Sequence, residues 1–128
     1  CTSPLRDIED IYKAIEFFKN NSCDAVFSIC ESRRNPYFNM VEYDADQKLK
    51  VVIKRDVPIL CRQNAPKVFD HVGSIYVLKP SYLRSAKSLL EGNVKGYDIG
   101  VNKGIDLDSE FDFELIEYLM KKKAINNL

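Results

Sequence analysis

Residues 24–30 read Asp24-Ala25-Val26-Phe27-Ser28-Ile29-Cys30, a short, nearly unbroken apolar run. A half-exposed strand would alternate apolar and polar residues. A continuous run of this length predicts a strand covered on both faces, in the centre of a sheet. Upstream, Ile8, Ile11, Ile15 and Phe18 recur at steps of three and four, which predicts a helix over 4–20. Ser3 stands where it would cap that helix, and Pro4 is tolerated in its first turn. Asp7, Glu9 and Asp10 complement the positive helix end, Lys19 the negative one, and Asn20-Asn21 stops it.

Downstream, residues 31–36 are polar and basic, including Arg33-Arg34, and predict a solvated loop. Phe38–Tyr43 and Leu49–Ile53 flank Asp44-Ala45-Asp46-Gln47, an antiparallel hairpin pattern. Pro58 and Pro66 bracket an irregular stretch that carries Arg62 and Gln63. Val72–Leu78 predicts a strand, Pro80 opens a helix to about Leu90, and a short strand follows over Tyr97–Val101 among Gly92, Gly96 and Gly100. Ile105-Asp106-Leu107-Asp108 alternates at period two before a last helix, Glu110–Ala124. Ser109 caps that helix with Asp112 three residues on, Leu115, Ile116 and Leu119 face inward, and Lys121–Lys123 suit its negative end. The order helix, strand, hairpin, strand, helix, strand, helix predicts an α/β sandwich with the hairpin as a protruding arm. Two strands alone are marginal, so the arm, roughly 36–66, is expected to gain stability on a partner subunit.

The 128 residues suit one compact domain. Lys+Arg and Asp+Glu both number 19, so no basic excess exists to displace counterions from nucleic acid or hold an anionic membrane surface. No apolar run approaches the roughly 18 residues that span a bilayer, and nothing at the start resembles a signal peptide. Cys1, Cys23, Cys30 and Cys61 form no C-x-x-C pair, and His71, the one histidine, is ten residues from the nearest of them. That pattern argues against zinc. Reduced, buried thiols at Cys23 and Cys30 and a cytoplasmic location are the expectation. The chain starts in a loop-like Cys-Thr-Ser-Pro and is expected to be a piece of something longer.

Three clusters can carry chemistry. On an extended segment Asp106 and Asp108 project to one side, as two hard oxygen ligands suited to Mg²⁺; the alternative is a solvated acidic turn before a helix. Thr2, Ser3 and Arg6 form a hydroxyl-rich turn at a helix start, either an anion site or a routine cap. Arg62, beside Gln63, offers a planar five-donor fork for a carboxylate or phosphoryl group, or is a surface residue. His71 is an acid or base candidate, or a partly buried structural histidine. No hydrolase triad and no glycine-rich phosphate loop is present.

Taken together, Thr2-Ser3-Pro4-Leu5-Arg6, Asp24-Ala25-Val26-Phe27-Ser28, Asn35-Pro36-Tyr37-Phe38-Asn39-Met40-Val41-Glu42, Arg62-Gln63 with Pro66, Gly73-Ser74-Ile75-Tyr76, Ile105-Asp106-Leu107-Asp108 and the acidic helix start at Asp112 run through nearly the whole chain. In that order they resemble the C-terminal half of the acylneuraminate cytidylyltransferases, the CMP-sialic acid synthetase family. The resemblance implies a Rossmann-like nucleotide-diphospho-sugar transferase fold (partial here), a mixed sheet flanked by helices, and a homodimer in which the hairpin reaches the neighbour. It implies transfer of CMP from CTP to an acidic nine-carbon sugar with release of pyrophosphate, and Mg²⁺ as cofactor. By matching motif, Asp106 and Asp108 would hold the metal and Arg62 would be the catalytic cation. Thr2, Ser3, Arg6, Gln63 and Tyr76 would bind substrate.

Two features depart from the family pattern. The family's nucleotide-binding segment is expected to lie upstream of Cys1, so this fragment is expected not to turn over CTP alone. Val72 stands where family members often carry Asn, which leaves the identity of the sugar acid open. A cytidylyltransferase for the eight-carbon sugar acid Kdo shares the general fold, although Asn35–Glu42 and Asp106–Asp108 favour the nonulosonate branch. The reading from another class is a non-catalytic α/β module that dimerises through its hairpin.

Overall fold

A computed structural model of the chain describes residues 2–126. The elements are α1 (Ile8–Asn20), β1 (Ala25–Glu31), β2 (Val41–Tyr43), β3 (Leu49–Val51), a 3₁₀ turn (Arg62–Asn64), β4 (Phe69–Leu78), α2 (Pro80–Ser85), β5 (Val94–Asp98), a second 3₁₀ turn (Val101–Lys103) and α3 (Glu110–Asn126). Their order is the one the periodicity predicts. They fall into two compact units, one made of the chain up to Cys30 and from Asp70 onward, the other of Glu31–Phe69.

In the first unit three strands lie in the order β4-β1-β5, with β1 central as its apolar run requires. β1 and β5 are parallel, from Ala25 opposite Val94 to Ile29 opposite Asp98. β4 runs the other way. The Lys79 N–H donates to the Asp24 carbonyl at 2.9 Å, before β1, whereas Ser28, further along, meets Val72 and Ile75, earlier in β4. The sheet is therefore mixed, and helices cover both faces. On one face Ala14 of α1 joins Cys30, Val72, Ile75 and Ile99, with Ile11, Val77 and Tyr97 around them. On the other, Tyr82 of α2 joins Ala25 and Phe27, with Leu78, Ala86 and Val94.

Val72 and Ile75 share one core although they are three residues apart, and strict alternation would send them to opposite faces. The alternation slips by one residue at Ser74-Ile75, two neighbours that are both buried, as a bulge makes it. The wholly buried Ser28 hydroxyl stands in for a ladder partner there: it accepts from the Ile75 N–H at 2.8 Å and donates to the Val72 carbonyl at 2.7 Å.

Several boundaries differ from the sequence expectation. α1 starts at Ile8, not at 4. Asp7 is its extended cap, with φ −91° and ψ 155°, and the Asp7 N–H donates to the Asp10 carboxylate at 2.9 Å. Ser3 has another use, described below, and Ile8 is solvent-exposed while Asp10 and Ala14 are buried. α2 stops at Ser85 because the chain turns back: the Tyr82 hydroxyl donates to the Leu89 carbonyl at 2.5 Å. β5 begins at Val94 and contains Gly96, which is there because the Ile29 side chain occupies the space a Cβ would need. Ile105–Asp108 joins no strand. In α3, Ile116 is the buried position, flanked by half-buried Leu115 and Leu119. Cys23 and Cys30 are buried free thiols and Cys61 a half-buried one; Cys1 lies outside the described residues. No helix among the described residues is long and apolar enough to cross a membrane.

In the second unit β2 and β3 pair antiparallel, Val41 with Val51 and Tyr43 with Leu49, a shorter hairpin than the sequence pattern suggests. Its turn is closed by Asp44, whose carboxylate accepts from the N–H groups of Asp46 and Lys48, both at 2.9 Å, and by Gln47 in the left-handed region at φ 62°. Arg33 and Arg34 are exposed, as expected of that loop.

Candidate functional site

Parallel strands leave their carboxyl ends on one edge of a sheet, where open α/β folds bind ligands. Here Asp98 ends β5 and Cys30 stands one residue before the end of β1. Burial pushes the Cys30 thiol up, and the charges of Asp70, Asp98 and Asp106 push it the same way. Three carboxylates thus lie within electrostatic reach of one buried sulfur. Spacing in the sequence points to Asp106 alone. The sequence places Asp98 inside a strand over Tyr97–Val101, whereas in the structure it ends β5, and Asp70 carries no sequence signal.

The N-terminal segment is tied to the acidic one. The Thr2 carbonyl accepts from the Leu107 N–H at 2.7 Å, and the buried Ser3 hydroxyl donates to Asp106 Oδ1 at 2.7 Å. Ser3 is therefore the residue that orients Asp106, not a helix cap. Arg6 donates through Nη1 to the carbonyl of Ser74, with the Ser74 hydroxyl at 3.4 Å, which anchors it at the β4 bulge. Tyr76, 43% exposed, packs its ring 5.0 Å from that of Phe27, and its hydroxyl lies 3.7 Å from where a Cβ on Gly73 would stand. Thr2, Ser3, Arg6, Tyr76 and Asp106 are thus all tied to the bulge or to the acidic segment.

Asp108 is exposed beyond Leu107. Asp112 is engaged in structure, accepting from the Ser109 hydroxyl at 2.6 Å and the Ser109 N–H at 2.9 Å to close a capping box. Those bonds, the hydroxyl's first, hold the Asp112 carboxyl below the usual range. Among the described residues no three His, Cys, Asp or Glu side chains gather closely enough to cage a metal. His71 is exposed, not partly buried as its sequence context suggests. It is a strand residue ahead of the bulge, and Phe27 and Tyr76 beside it leave part of its ring in solvent.

Arg62 and Gln63 belong to the second unit, exposed on the first 3₁₀ turn. Arg62 Nη2 donates to the Arg33 carbonyl at 3.3 Å. Both line a cavity of about 180 Å³ with Asn35, Pro66 and Lys67. Buried Asn35 braces it, donating to the Pro66 carbonyl at 2.8 Å and accepting from the Tyr37 N–H at 2.9 Å. Whole-ligand pockets run to about 300–1,000 Å³, so this cavity fits a substituent such as a carboxylate.

Fold and site define an α/β protein with an acidic strand-end edge and a separate arginine-lined cavity, a layout suited to charged ligands. The chain is 37% identical over 125 residues to the post-translational flagellin modification protein B of Campylobacter coli, a match over 98% of the chain and 52% of that protein. It is 38% identical over 95 residues to the CMP-N,N'-diacetyllegionaminic acid synthase of Campylobacter jejuni subsp. jejuni serotype O:2, over 74% of the chain and 39% of that protein. The chain is therefore a homologue of CMP-nonulosonate synthetase-like proteins, as its motifs indicate. It spans about half the length, or less, of these curated relatives. No protein-family model matches it.

Proposed function

We propose that this chain forms part of a cytidylyltransferase that transfers CMP from CTP to a nonulosonic acid. What supports the reading is the tie of Thr2 and Ser3 to the Asp106-Leu107 segment in a homologue of a CMP-nonulosonate synthase. The anomeric hydroxyl of the sugar acid attacks the α-phosphorus of CTP. The new P–O bond forms as the bond to the bridging oxygen breaks, pyrophosphate leaves, and the hydroxyl proton passes to solvent or to a basic oxygen nearby. Such a step is accelerated by positioning and by neutralising phosphate charge.

Asp106 and Asp108 fit a magnesium ion in their donor chemistry. Mg²⁺ takes one or two carboxylates and completes its octahedron with water and substrate phosphates, so no third acidic ligand is needed. When bound, it would offset the charge that builds on the phosphates. Ser3 holds Asp106 in one orientation. Arg6 spends one nitrogen on Ser74 and keeps the rest of its fork for an anion. Arg62 and Gln63 take the sugar carboxylate or the reacting phosphate, and Tyr76 lines the sugar pocket. The mixed sheet is then part of a Rossmann-like nucleotide-sugar transferase fold that works in the cytoplasm. The hairpin region 36–66, with Val41, Tyr43 and Leu49 exposed, is the contact of a homodimer.

The test is CMP-sugar and pyrophosphate formation from CTP and Mg²⁺ by the protein carrying this chain, with nonulosonic acids set against Kdo. Turnover of a nonulosonic acid, lost about a hundredfold or more in Asp106→Asn with Asp108→Asn while the circular dichroism spectrum is kept, is the expected result. Preference for Kdo, or unchanged turnover in that variant, would reject it.

A further inference from the structure

We propose that His71 contacts the sugar acid, donating from its ring to an acyl substituent of the sugar whose methyl group rests on Tyr76. This rests on the proposed function and adds a residue that sets which sugar acid is accepted.

The placement follows from the bulge. His71 and Tyr76 are five residues apart on β4, so a regular strand would send them to opposite faces. The extra residue at Ser74-Ile75 that brings Val72 and Ile75 into the α1 core also turns His71 and Tyr76 to the other face, against Phe27. The three rings meet edge to face or tilted: Phe27 and His71 at 5.6 Å and 69°, His71 and Tyr76 at 5.5 Å and 78°, Phe27 and Tyr76 at 5.0 Å and 59°. Such contacts orient an imidazole through its carbon edge and face. Among the described residues no hydrogen bond engages either ring nitrogen of His71. α2 ends at Ser85 and covers this face only around Tyr82 and Leu78, so the imidazole and the Tyr76 ring stay exposed.

A donor held rigidly beside an aromatic face complements a group that is polar at one end and apolar at the other, as an N-acyl group is. Strand-borne groups are held more rigidly than loop-borne ones, which suits a residue that discriminates between sugars.

The experiment measures CMP transfer by the protein carrying this chain at saturating CTP, varying an N-acylated nonulosonic acid. His71→Phe keeps the ring contacts and removes the donor; His71→Ala removes both. KM for the sugar acid is expected to rise about tenfold in His71→Phe and further in His71→Ala, with kcat and KM for CTP within about twofold. The imidazole NMR signals of His71, assigned by their loss in His71→Phe, should also shift when the sugar acid is added. An unchanged sugar KM in both variants, or imidazole signals that stay in place while the sugar binds, overturns the inference and leaves the proposed function standing. A wild-type protein that makes no CMP-sugar from any nonulosonic acid overturns the function itself, and this inference with it.

Discussion

Ser28 shows how one hydroxyl decides a local structure. Within an otherwise apolar run it looks like a lapse in hydrophobicity, yet it is wholly buried and satisfies backbone groups on either side of the β4 bulge. Ser28→Ala leaves a buried N–H and a buried carbonyl without that partner, at a cost of about 1–3 kcal/mol. Urea denaturation should show that loss as a lower midpoint with an unchanged slope; an unchanged midpoint would mean that the bulge does not depend on the hydroxyl. The sequence marks Ser28 only as polar in a buried strand. Its partners are 44 and 47 residues away, so no local pattern could name them.

At the scale of elements, Asp7 ties the start of α1 to the second 3₁₀ turn and to α3. Hydrogen bonds from Lys123 and then Lys103 hold its carboxyl below the usual range of about 3.8. Lys103 lies 3.0 Å from Asp7 and 2.7 Å from Asp10. Burial lowers the Lys103 pKa, but the two carboxylates outweigh it and leave it raised. A depressed acid stabilises the fold above its unfolded pKa and loses that contribution as pH falls through the folded one. Asp7→Asn keeps a good helix cap and removes the charge. The variant should therefore be less stable than wild type above the ordinary carboxylate range, and the gap should close as pH falls below that range through the lowered pKa of folded Asp7. Salt should shrink the gap, since these side chains are partly exposed. Parallel stability curves across that range would show that the ion network adds nothing to the fold. Element boundaries are legible to the same depth as these contacts. α1 reads correctly as a helix from its apolar spacing, but its start is set by Asp7 and Asp10 while Ser3 is drawn away to Asp106.

Across the whole molecule, the hairpin unit presents Val41, Tyr43 and Leu49 to solvent on a two-stranded sheet that is marginal by itself. If that surface is the dimer contact, Val41→Lys with Leu49→Lys should halve the mass measured by light scattering at micromolar concentration. A wild type that is monomeric at that concentration would dispose of the dimer.

Periodicity and local chemistry were enough for the order of elements, the central strand, the hairpin turn and the capped last helix, and the resemblance of short motifs was enough for the kinship with CMP-nonulosonate synthetase-like proteins, because each is written in neighbouring residues. The grouping of Asp70, Asp98 and Asp106 about Cys30, the hold of Ser3 on Asp106 and the meeting of His71 with Tyr76 were invisible at that level. They arise from residues tens of positions apart and from a bulge that shifts strand phase, so they exist once the chain has packed and not before.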